Sequence, residues 1–256
     1  ASHRAHASIH ALPSLIKDKG IGFLIEKEIN MLDTLLDNPR RPYVAVLGGA
    51  KVSDKIAVIE KLIDLVDVFI IGGAMAYTFL KAQGLSVGKS LVEEDKLRYA
   101  REMVERIKAR DKTLLLPMDH VVVENIDFKS TNSEPFEITP QASIPEGRMG
   151  VDIGPQTIKS FSASIRESGT LFWNGPMGVF EKEAFSKGTF AMAKVIAESS
   201  GIKVVGGGDS ASAAQASGYA EKMTHISTGG GASLEYLQGD ELPGLEILRS
   251  KHGRII

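Results

Sequence analysis

The amino-acid sequence predicts an α/β fold built on a mainly parallel sheet of about six strands. The first observation is that short apolar strands ending in glycine repeatedly give way to helical segments along the chain. The second is that the clearest strand, 44–47, is apolar throughout and rich in valine, as expected of a strand buried on both faces. Helices should therefore cover both faces of the sheet, which predicts a three-layer, Rossmann-like sandwich.

Glycine clusters follow the predicted strands, at Gly48, Gly72, Gly175, Gly206 and Gly229. The carboxyl ends of parallel strands meet at one edge of a sheet, and ligands bind beyond that edge. We therefore expect these clusters to line one cleft. None of them reads G-x-G-x-x-G with an acidic residue after the next strand, and none reads G-x-x-x-x-G-K-[ST]. The sequence supports neither a dinucleotide-dependent dehydrogenase nor a Walker-type site.

The chain opens with residues 1–21, which are polar and show no clear periodicity. We expect this stretch to be an arm or linker that packs against a part of the protein outside this sequence. The given sequence would then be a fragment. Residues 23–36 carry apolar side chains three or four positions apart and predict a helix. Asn38 and Pro39 mark the turn that ends it.

The stretch 43–66 is the most informative part of the chain. Its strand meets Gly48 and Gly49, which permit a tight turn and the close approach of a ligand. An amphipathic helix is predicted to follow directly, with these apolar positions on one face: Val52, Ile56, Ile59, Ile63 and Val66. The N-terminus of such a helix favours anions, and phosphate is the common one.

Two lysines stand at the start of this predicted helix. Lys51 and Lys55 are four residues apart, so on the first turns of a helix they would share a face and reach the same phosphate chain. This arrangement is typical of phosphoryl transfer, where mobile negative charge must be held. The alternative stays open that the two glycines are only a turn and the lysines are solvated.

The later elements repeat the design. A strand at 66–73 and a helix at 74–84 are followed by a charged amphipathic helix at 95–109. Residues 112–124 form either one bent strand or two strands, because Pro117 interrupts the apolar run. Residues 125–149 are predicted to be a surface excursion with room for a short hairpin.

The last third returns to strands, glycines and helices. The predicted segments are a helix from about residue 156, a strand ending at Gly175, a helix at 185–199, and strand–glycine–helix units at 202–218 and 224–239.

Composition and charge exclude several classes of protein. Lys plus Arg number 30 against 32 Asp plus Glu, so the formal charge of −2 predicts no nucleic-acid or anionic-membrane partner. The chain has no cysteine, which excludes disulfides, thiol catalysis and zinc–thiolate sites. No run of roughly 18 apolar residues is present, so no membrane-spanning helix is predicted.

A collinear set of motifs resembles the phosphoglycerate kinase family over nearly the whole chain. They are HRAHAS at His3, LGGAKVSDKI at Leu47, IIGGAMAYTFLKA at Ile70, GKSLVEEDK at Gly88, GVDIGP at Gly150, WNGPMGVFE at Trp173, GGGDSAS at Gly206 and HISTGGGASLE at His225.

The resemblance implies an enzyme that reversibly transfers a phosphoryl group between 1,3-bisphosphoglycerate and ADP, giving 3-phosphoglycerate and ATP in glycolysis. This chain would supply the half that binds Mg-ADP or Mg-ATP. The intact protein would be a cytoplasmic monomer with neither nucleic acid nor membrane as partner. The alternative is an isolated nucleotide-binding module with little or no turnover.

The resemblance also implies roles for individual residues. Lys55 would contact the nucleotide phosphates and Lys51 the phosphoryl group in transfer, with Gly208 and Gly231 beside it. Arg4 would be the one basic group retained from the phosphoglycerate side, and Gly229 and Gly230 would also face the transferred phosphoryl group. The nucleotide would further contact Gly49, Ala50, Gly72, Gly73, Gly150, Asn174, Pro176, Glu181, Gly206, Gly207, Gly208, Asp209 and Ser210.

Within that set, the first five residues would line the adenine slot, and Asn174 and Pro176 would flank the sugar and phosphates. Glu181 would accept hydrogen bonds from the ribose, although it could instead be a solvated charge at the rim. Asp209 would hold Mg²⁺, although it could merely cap the helix that follows it.

The expected organisation has four parts. Residues 1–21 resemble the remnant of an N-terminal substrate domain and 22–40 an interdomain connector helix. Residues 41–240 form the nucleotide-binding domain, and 241–256 a C-terminal tail that returns to the first domain in this family. Family members close their two domains around the substrates, which this chain could not do alone.

Overall fold

The computed structural model describes residues 2–130 and 134–249 of the chain. Its strands are β1 (Tyr43–Leu47), β2 (Val68–Ile71), β3 (Thr113–Leu115), β4 (His120–Val123), β5 (Glu137–Ile138), β6 (Met149–Ile153), β7 (Thr170–Asn174), β8 (Ile202–Val205) and β9 (His225–Ile226). The predictions for residue 1, for 131–133 and for the end of the tail, 250–256, lie outside the described residues.

The α-helices are α1 (Leu12–Leu15), α2 (Phe23–Leu36), α3 (Ile56–Leu62), α4 (Met75–Ala82), α5 (Leu97–Lys108), α6 (Pro155–Arg166), α7 (Lys187–Glu198), α8 (Gly208–Ala216), α9 (Gly231–Gln238) and α10 (Pro243–Glu246). Short turns of π-helix or 3-10 helix occupy Ala7–Ala11, Glu94–Lys96, Glu183–Phe185 and Ala220–Lys222. In the described parts of the chain, no helix combines the length and the apolar character needed to cross a bilayer.

The main sheet has six strands in the order β3-β2-β1-β7-β8-β9, and all of its neighbouring strands are parallel. Leu47 pairs with both Ile71 and Asn174, so the central strands end level with one another. The backbone ladder continues into the glycines, since Gly48 N–H donates to the Asn174 carbonyl at 2.9 Å. The predicted parallel sheet is confirmed, and the glycine clusters do meet at its carboxyl edge.

Two apolar cores lie on opposite faces of this sheet. Tyr43, Ala45 and Leu47 of β1 belong to one core, whereas Val44 and Val46 belong to the other. All five side chains are fully buried. A strand buried on both faces needs apolar residues at every position, which is why β1 reads as an uninterrupted apolar run. The three-layer sandwich is therefore confirmed.

A second, antiparallel sheet has the order β5-β4-β6, with a bulge between Val121 and Val122 of β4. The apolar run at 112–124 is thus two strands on either side of Pro117, one at the edge of the main sheet and one at the centre of the small sheet. The hairpin expected within 125–149 contributes only β5, and β6 was not predicted as a strand.

The helix after β1 begins later than the sequence predicted. It starts at Ile56, and the preceding residues form a turn in which Lys55 N–H donates to the Val52 carbonyl at 2.9 Å. Val52 is fully buried, so it matched the apolar spacing of the predicted helix although it lies in the turn before that helix. The prediction that Lys51 and Lys55 share a helical face is therefore wrong.

The first helices pack less completely than the rest. Helix α2 has the predicted bounds and buries Leu32 and Leu35, and the Tyr236 hydroxyl of α9 donates to its Asp33 carboxylate at 2.6 Å. Residues before it form short helical turns that the sequence did not reveal. Their apolar side chains stay open to solvent, as does the first residue of α2, with Leu15 84% and Phe23 91% exposed.

Candidate functional site

Two adjoining cavities lie beyond the carboxyl edge of the main sheet. The first, about 330 Å³ and here called the lysine cavity, is lined by Lys55, Asn174 and the first residues of α8 and α9. The second, about 220 Å³ and here called the glycine slot, is lined by residues that include Gly49, Gly73 and Gly150. Asp209 lines both, so the two cavities adjoin at this residue.

Two helix N-termini border the lysine cavity. Helix α8 begins at Gly208 and α9 at Gly231, each preceded by a glycine with positive φ, +89° at Gly207 and +56° at Gly230. Space beside Gly208 and Gly231 is open, because a Cβ at either position would meet no atom within 4 Å. The first N–H groups of a helix lack intrahelical partners and carry partial positive charge, so this cavity favours an anion.

Lys55 enters the lysine cavity beside Asn174. Its ammonium donates to Asn174 Oδ1, and the buried Asn174 side chain is itself fixed by donating from Nδ2 to the Gly206 carbonyl at 2.6 Å. Burial lowers the pKa of Lys55, while the carboxylates of Asp54 and Asp209 oppose that shift. The lysine is thus a partly desolvated cation held at a fixed place, which strengthens its attraction for an anion.

Ser210 connects the start of α8 to the end of β7. Its buried hydroxyl oxygen accepts a hydrogen bond from Gly175 N–H at 2.5 Å. The neighbouring Asp209 makes no capping hydrogen bond, since the N-cap residue of α8 is Gly207 and no side chain caps it. The alternative in which Asp209 serves only as a helix cap therefore has no hydrogen bond to support it.

The glycine slot is narrow because backbone segments approach closely around it. Gly49 N–H donates to the Pro176 carbonyl and Gly73 N–H donates to the Met177 carbonyl, both at 3.0 Å. A Cβ on Gly73 would lie 2.5 Å from the backbone nitrogen of Gly49. Tyr77 and the exposed ring of Phe128 also line this slot. A flat, mostly apolar group fits such a space.

The structure brings most of the predicted site residues together. The lysine cavity contains Lys55, Asn174, Gly207, Gly208, Asp209, Ser210, Gly230 and Gly231. The glycine slot contains Gly49, Ala50, Gly73, Gly150, Pro176, Glu181 and Asp209, with Glu181 exposed.

Three predicted glycines line neither of these two cavities. The missing side chain of Gly72 leaves room for Met177, whose Sδ would lie 2.4 Å from a Cβ there. Gly206 leaves room for the Phe172 ring, at 2.9 Å by the same measure. At Gly229 the nearest atom is Ser233 Oγ, 2.0 Å from the position of a Cβ. These glycines shape the walls by allowing close packing behind the cavities.

Two predicted cations stand outside both cavities. Lys51 is exposed on the turn before α3 and lines neither cavity. Arg4 is also exposed, and its Nε donates to His3 Nε2 at 3.3 Å.

The sequence did not reveal functional residues whose hydrogen-bond partners lie far away in the chain. Glu28 of α2 is buried, and its Oε1 accepts from Thr228 N–H at 2.7 Å and from Thr228 Oγ1 at 2.9 Å. Its Oε2 accepts from Ser227 Oγ at 2.9 Å and lies 3.1 Å from His225 Nε2. Burial alone would raise the pKa of Glu28, but the donors on Thr228, His225 and Ser227 outweigh it and lower the pKa. This carboxylate holds the loop that leads into α9.

Asp54 was also missed, although its place next to Lys55 was a usable signal. It lines the lysine cavity together with Asp209. In the described residues, no cluster of three or more His, Cys, Asp or Glu side chains could enclose a metal by itself. Two carboxylates at one cavity fit an ion such as Mg²⁺, which binds through one or two protein carboxylates and takes other oxygens from substrate phosphates and water.

Comparisons with known proteins agree with this arrangement. A sequence model of the phosphoglycerate kinase family matches residues 1–240. A phosphoglycerate kinase of Bdellovibrio bacteriovorus is 71% identical over 251 residues, which are 98% of this chain and 62% of that protein. One from Clostridium novyi is 53% identical over 250 residues, covering 98% of this chain and 62% of that protein.

Solved structures give the same picture. Phosphoglycerate kinase from Coxiella burnetii superposes with a TM-score of 0.93 at 39% identity, covering 99% of this chain and 64% of that one. The enzyme from Pyrococcus horikoshii superposes with a TM-score of 0.81 at 31% identity, covering 96% and 61%. The chain thus spans less than two thirds of the length of these relatives. With the family match over residues 1–240, these findings show that the chain belongs to the phosphoglycerate kinase family.

Proposed function

We propose that this chain is the nucleotide-binding half of a phosphoglycerate kinase. In the intact protein it would bind Mg-ADP or Mg-ATP while a phosphoryl group passes between 1,3-bisphosphoglycerate and ADP, giving 3-phosphoglycerate and ATP in the glycolysis of the cytoplasm. The observation that carries the proposal is the lysine cavity, where Lys55 lies between two open helix N-termini beside a slot of suitable shape for a base.

Each part of a nucleotide has a matching place. The adenine enters the glycine slot, where Gly49 and Gly150 present no side chain, and the ribose hydroxyls donate to Glu181 at the exposed rim. The phosphate chain lies in the lysine cavity against the Lys55 ammonium and the free N–H groups of α8 and α9. Positioning and charge neutralisation are sufficient for in-line phosphoryl transfer, so no covalent intermediate on the protein is required.

Asp209 is the proposed Mg²⁺ ligand, and Asp54 faces the same cavity. When bound, Mg²⁺ would neutralise part of the negative charge on the nucleotide phosphates. The two carboxylates also balance the Lys55 ammonium, which keeps this cation charged despite its partial burial.

The phosphoglycerate side of the reaction requires parts of the protein beyond this chain. We assign residues 1–21 to the end of the substrate domain, 22–40 to the connector, 41–240 to the nucleotide-binding domain and 241–256 to the returning tail. Exposed apolar side chains at Leu12, Leu15 and Phe23 support a contact with that other domain. In the closed enzyme, Lys51 and Arg4 would turn toward the transferred phosphoryl group and the phosphoglycerate.

A nucleotide-binding module without turnover is the second candidate, and the position of Arg4 outside both cavities favours it for the chain alone. An assay of phosphoryl transfer from 1,3-bisphosphoglycerate to ADP, with ATP formation as the measured product, separates the two candidates. We expect near-background turnover by the chain alone and full turnover by the complete protein. Rapid turnover by the isolated chain would show that the acceptor site lies within these residues.

Calorimetric titration with Mg-ADP tests the proposed site. Lys55→Ala should weaken binding about tenfold or more, because a partly desolvated cation on a phosphate chain contributes more than an exposed one. Asp209→Asn should weaken binding mainly when Mg²⁺ is present. The matched control is Lys108→Ala, an exposed lysine at the end of α5 near the opposite edge of the sheet. Unchanged affinity in Lys55→Ala, or no binding by the folded parent chain, would overturn the proposal.

A further inference from the structure

The turn that carries the two lysines is held by a carboxylate from another part of the chain. Glu93, which lies in the loop before α5, accepts two hydrogen bonds from the same residue. Its Oε2 accepts from Ser53 N–H at 3.1 Å and its Oε1 accepts from Ser53 Oγ at 2.6 Å. Ser53 stands midway between Lys51 and Lys55. Glu93 is therefore hydrogen-bonded to the middle of the turn that carries the two lysines.

Glu93 is itself held by helix α4. Its backbone N–H donates to the hydroxyl of Thr78 at 3.1 Å, and Thr78 is buried on that helix. The next residue, Glu94, forms an ion pair with Lys81 of the same helix at 2.5 Å. Because α4 packs into the core, the carboxylate of Glu93 is presented from a rigid support. Its two hydrogen bonds to Ser53 fix the turn relative to α4.

The other hydrogen bonds of the turn involve Lys55 at its end. Residues 50–55 belong to neither β1 nor α3. Lys55 N–H donates to the Val52 carbonyl, its carbonyl accepts from Ile59 N–H at 2.9 Å, and its ammonium donates to Asn174 Oδ1. Val52 is buried and holds one side of the turn. The Glu93 contact holds the solvent side, where Ser53 is exposed.

The charge of Glu93 argues against a direct role in attracting a phosphate. A carboxylate beside two lysines weakens the positive potential that an anionic ligand feels. Its position is better explained by geometry, since a cation serves phosphoryl transfer only when it is held at the right place. The two roles therefore predict opposite changes in affinity for an anionic ligand when Glu93 is removed: a loss for the geometric role and a gain for the electrostatic role.

We propose that Glu93 is a positioning residue for the phosphate-binding turn, acting through Ser53 to hold Lys55 where the nucleotide phosphates lie. The inference rests on the proposed function, because it assigns Glu93 to the phosphate end of the same nucleotide site. Glu93 touches neither the base nor the ribose region, as it lines neither cavity. Its loss should therefore affect ligands that carry phosphates and spare those that do not.

The test compares Mg-ADP with adenosine as ligands of the full chain by calorimetry. Glu93→Ala should weaken Mg-ADP about tenfold, the loss expected for charge-assisted hydrogen bonds, and leave adenosine affinity unchanged. Glu93→Gln should keep most of the affinity, because its amide oxygen can accept from Ser53 N–H while its amide N–H donates to the Ser53 hydroxyl. Ser53→Ala should give an intermediate loss. Glu102→Ala, which removes an exposed ion pair with Arg98 on α5, is the matched control and should behave like the parent.

Hydrogen exchange gives a readout that does not depend on a ligand. Amides of residues 50–55 should exchange faster in Glu93→Ala than in the parent or in Glu102→Ala. Equal or tighter binding of Mg-ADP by Glu93→Ala would show that the charge of Glu93 outweighs its geometry and would overturn the inference. Equal losses for Mg-ADP and adenosine would also overturn it, since they would indicate a general effect on the fold.

Two controls keep the inference separate from other failures. If Glu93→Ala does not fold, Ser53→Ala decides, because it retains the carboxylate and removes one of the two bonds. An unchanged ratio of Mg-ADP to adenosine affinity in Ser53→Ala then overturns the inference. A folded parent that binds no Mg-ADP overturns the proposed function and this inference together, whereas a binding parent matched by Glu93→Ala overturns this inference alone.

Discussion

Asp152 carries a buried carboxyl group on β6, an edge strand of the small sheet. Its Oδ2 accepts from Gly188 N–H at the start of α7 at 2.6 Å, and its Oδ1 accepts from Ile153 N–H at 2.9 Å. Burial raises the pKa of Asp152 from 3.8 to about 7, although both backbone donors oppose the shift. The cost of desolvating a carboxylate therefore outweighs these two hydrogen bonds.

This shift predicts a pH dependence of stability. Since the pKa of Asp152 is higher in the folded protein than the ordinary value of 3.8, the folded state binds more protons between pH 3.8 and about 7. The contribution to the free energy of unfolding is complete below this window and falls as pH rises through it, by on the order of 4 kcal/mol. Asp152→Asn should remove that fall in urea titrations made from pH 4 to 8.

The control for this prediction is Asp18→Asn, at an exposed aspartate before α2. It should leave the pH profile of the parent unchanged. A profile of Asp152→Asn that runs parallel to that of the parent across the whole range would show that Asp152 does not titrate there.

Lys55 shows how far single residues could be predicted. The pattern LGGAKVSDKI led us to predict that Lys55 lies at the site, and the structure places it in the lysine cavity. Nothing in the local sequence indicated that Asn174 would accept its hydrogen bond. The same holds for Glu28 and Glu93, whose partners are distant in the chain. Hydrogen bonds between distant segments depend on the packing of the whole domain, and a single sequence does not encode them as a readable pattern.

Among the elements, α2 and the loop before α9 depend on each other. Glu28 provides oxygen acceptors for the backbone N–H of Thr228 and for the hydroxyls of Ser227 and Thr228. That loop ends at Gly230, which leads into the N-terminus of α9 at the lysine cavity. Helix α2 therefore sets the position of one wall of the lysine cavity.

Replacing Glu28 should loosen this wall. In Glu28→Gln the amide nitrogen cannot accept a hydrogen bond, so at least one buried donor loses its partner at a cost on the order of 1–3 kcal/mol. We expect a lower free energy of unfolding and faster hydrogen exchange at residues 227–231. Because donors lower the pKa of Glu28, its contribution in the parent is present above 4.5 and is lost as pH falls through the lower folded value.

Glu26→Gln provides the comparison, since Glu26 lies on the first turn of α2 and is exposed. It should change neither the stability nor the exchange of residues 227–231. If Glu28→Gln matched it in both measurements, the network around Thr228 would contribute nothing to the position of this loop.

The bounds of an element could be predicted where the apolar period matched the buried positions of a helix. The prediction failed where a buried residue lay in a turn. Helices α2 and α7 begin and end close to the predicted residues, and α6 begins close to its predicted start. The helix after β1 was placed too early because Val52 matches the apolar period of α3 while lying in a turn. Strand β6 was missed because its Gly150 and Asp152 are rare in strands.

For the whole molecule, the alternation of strands and helices was enough to predict the parallel sheet and the cleft at its carboxyl edge. The glycine clusters that predicted the cleft do meet there, because parallel strands must end on the same side. The sequence did not predict which glycines would face the cavities and which would face other side chains. That division depends on packing partners such as Met177 behind Gly72 and Phe172 behind Gly206.

A crystal structure of this chain with Mg-ADP is the most direct test of the central claim that the two cavities form one nucleotide site. We predict that the adenine lies in the glycine slot between Gly150 and Pro176 and that the phosphates contact Lys55 and the Gly208 amide, with Mg²⁺ on Asp209. A nucleotide bound elsewhere, or no nucleotide in either cavity at saturating Mg-ADP, would contradict the account.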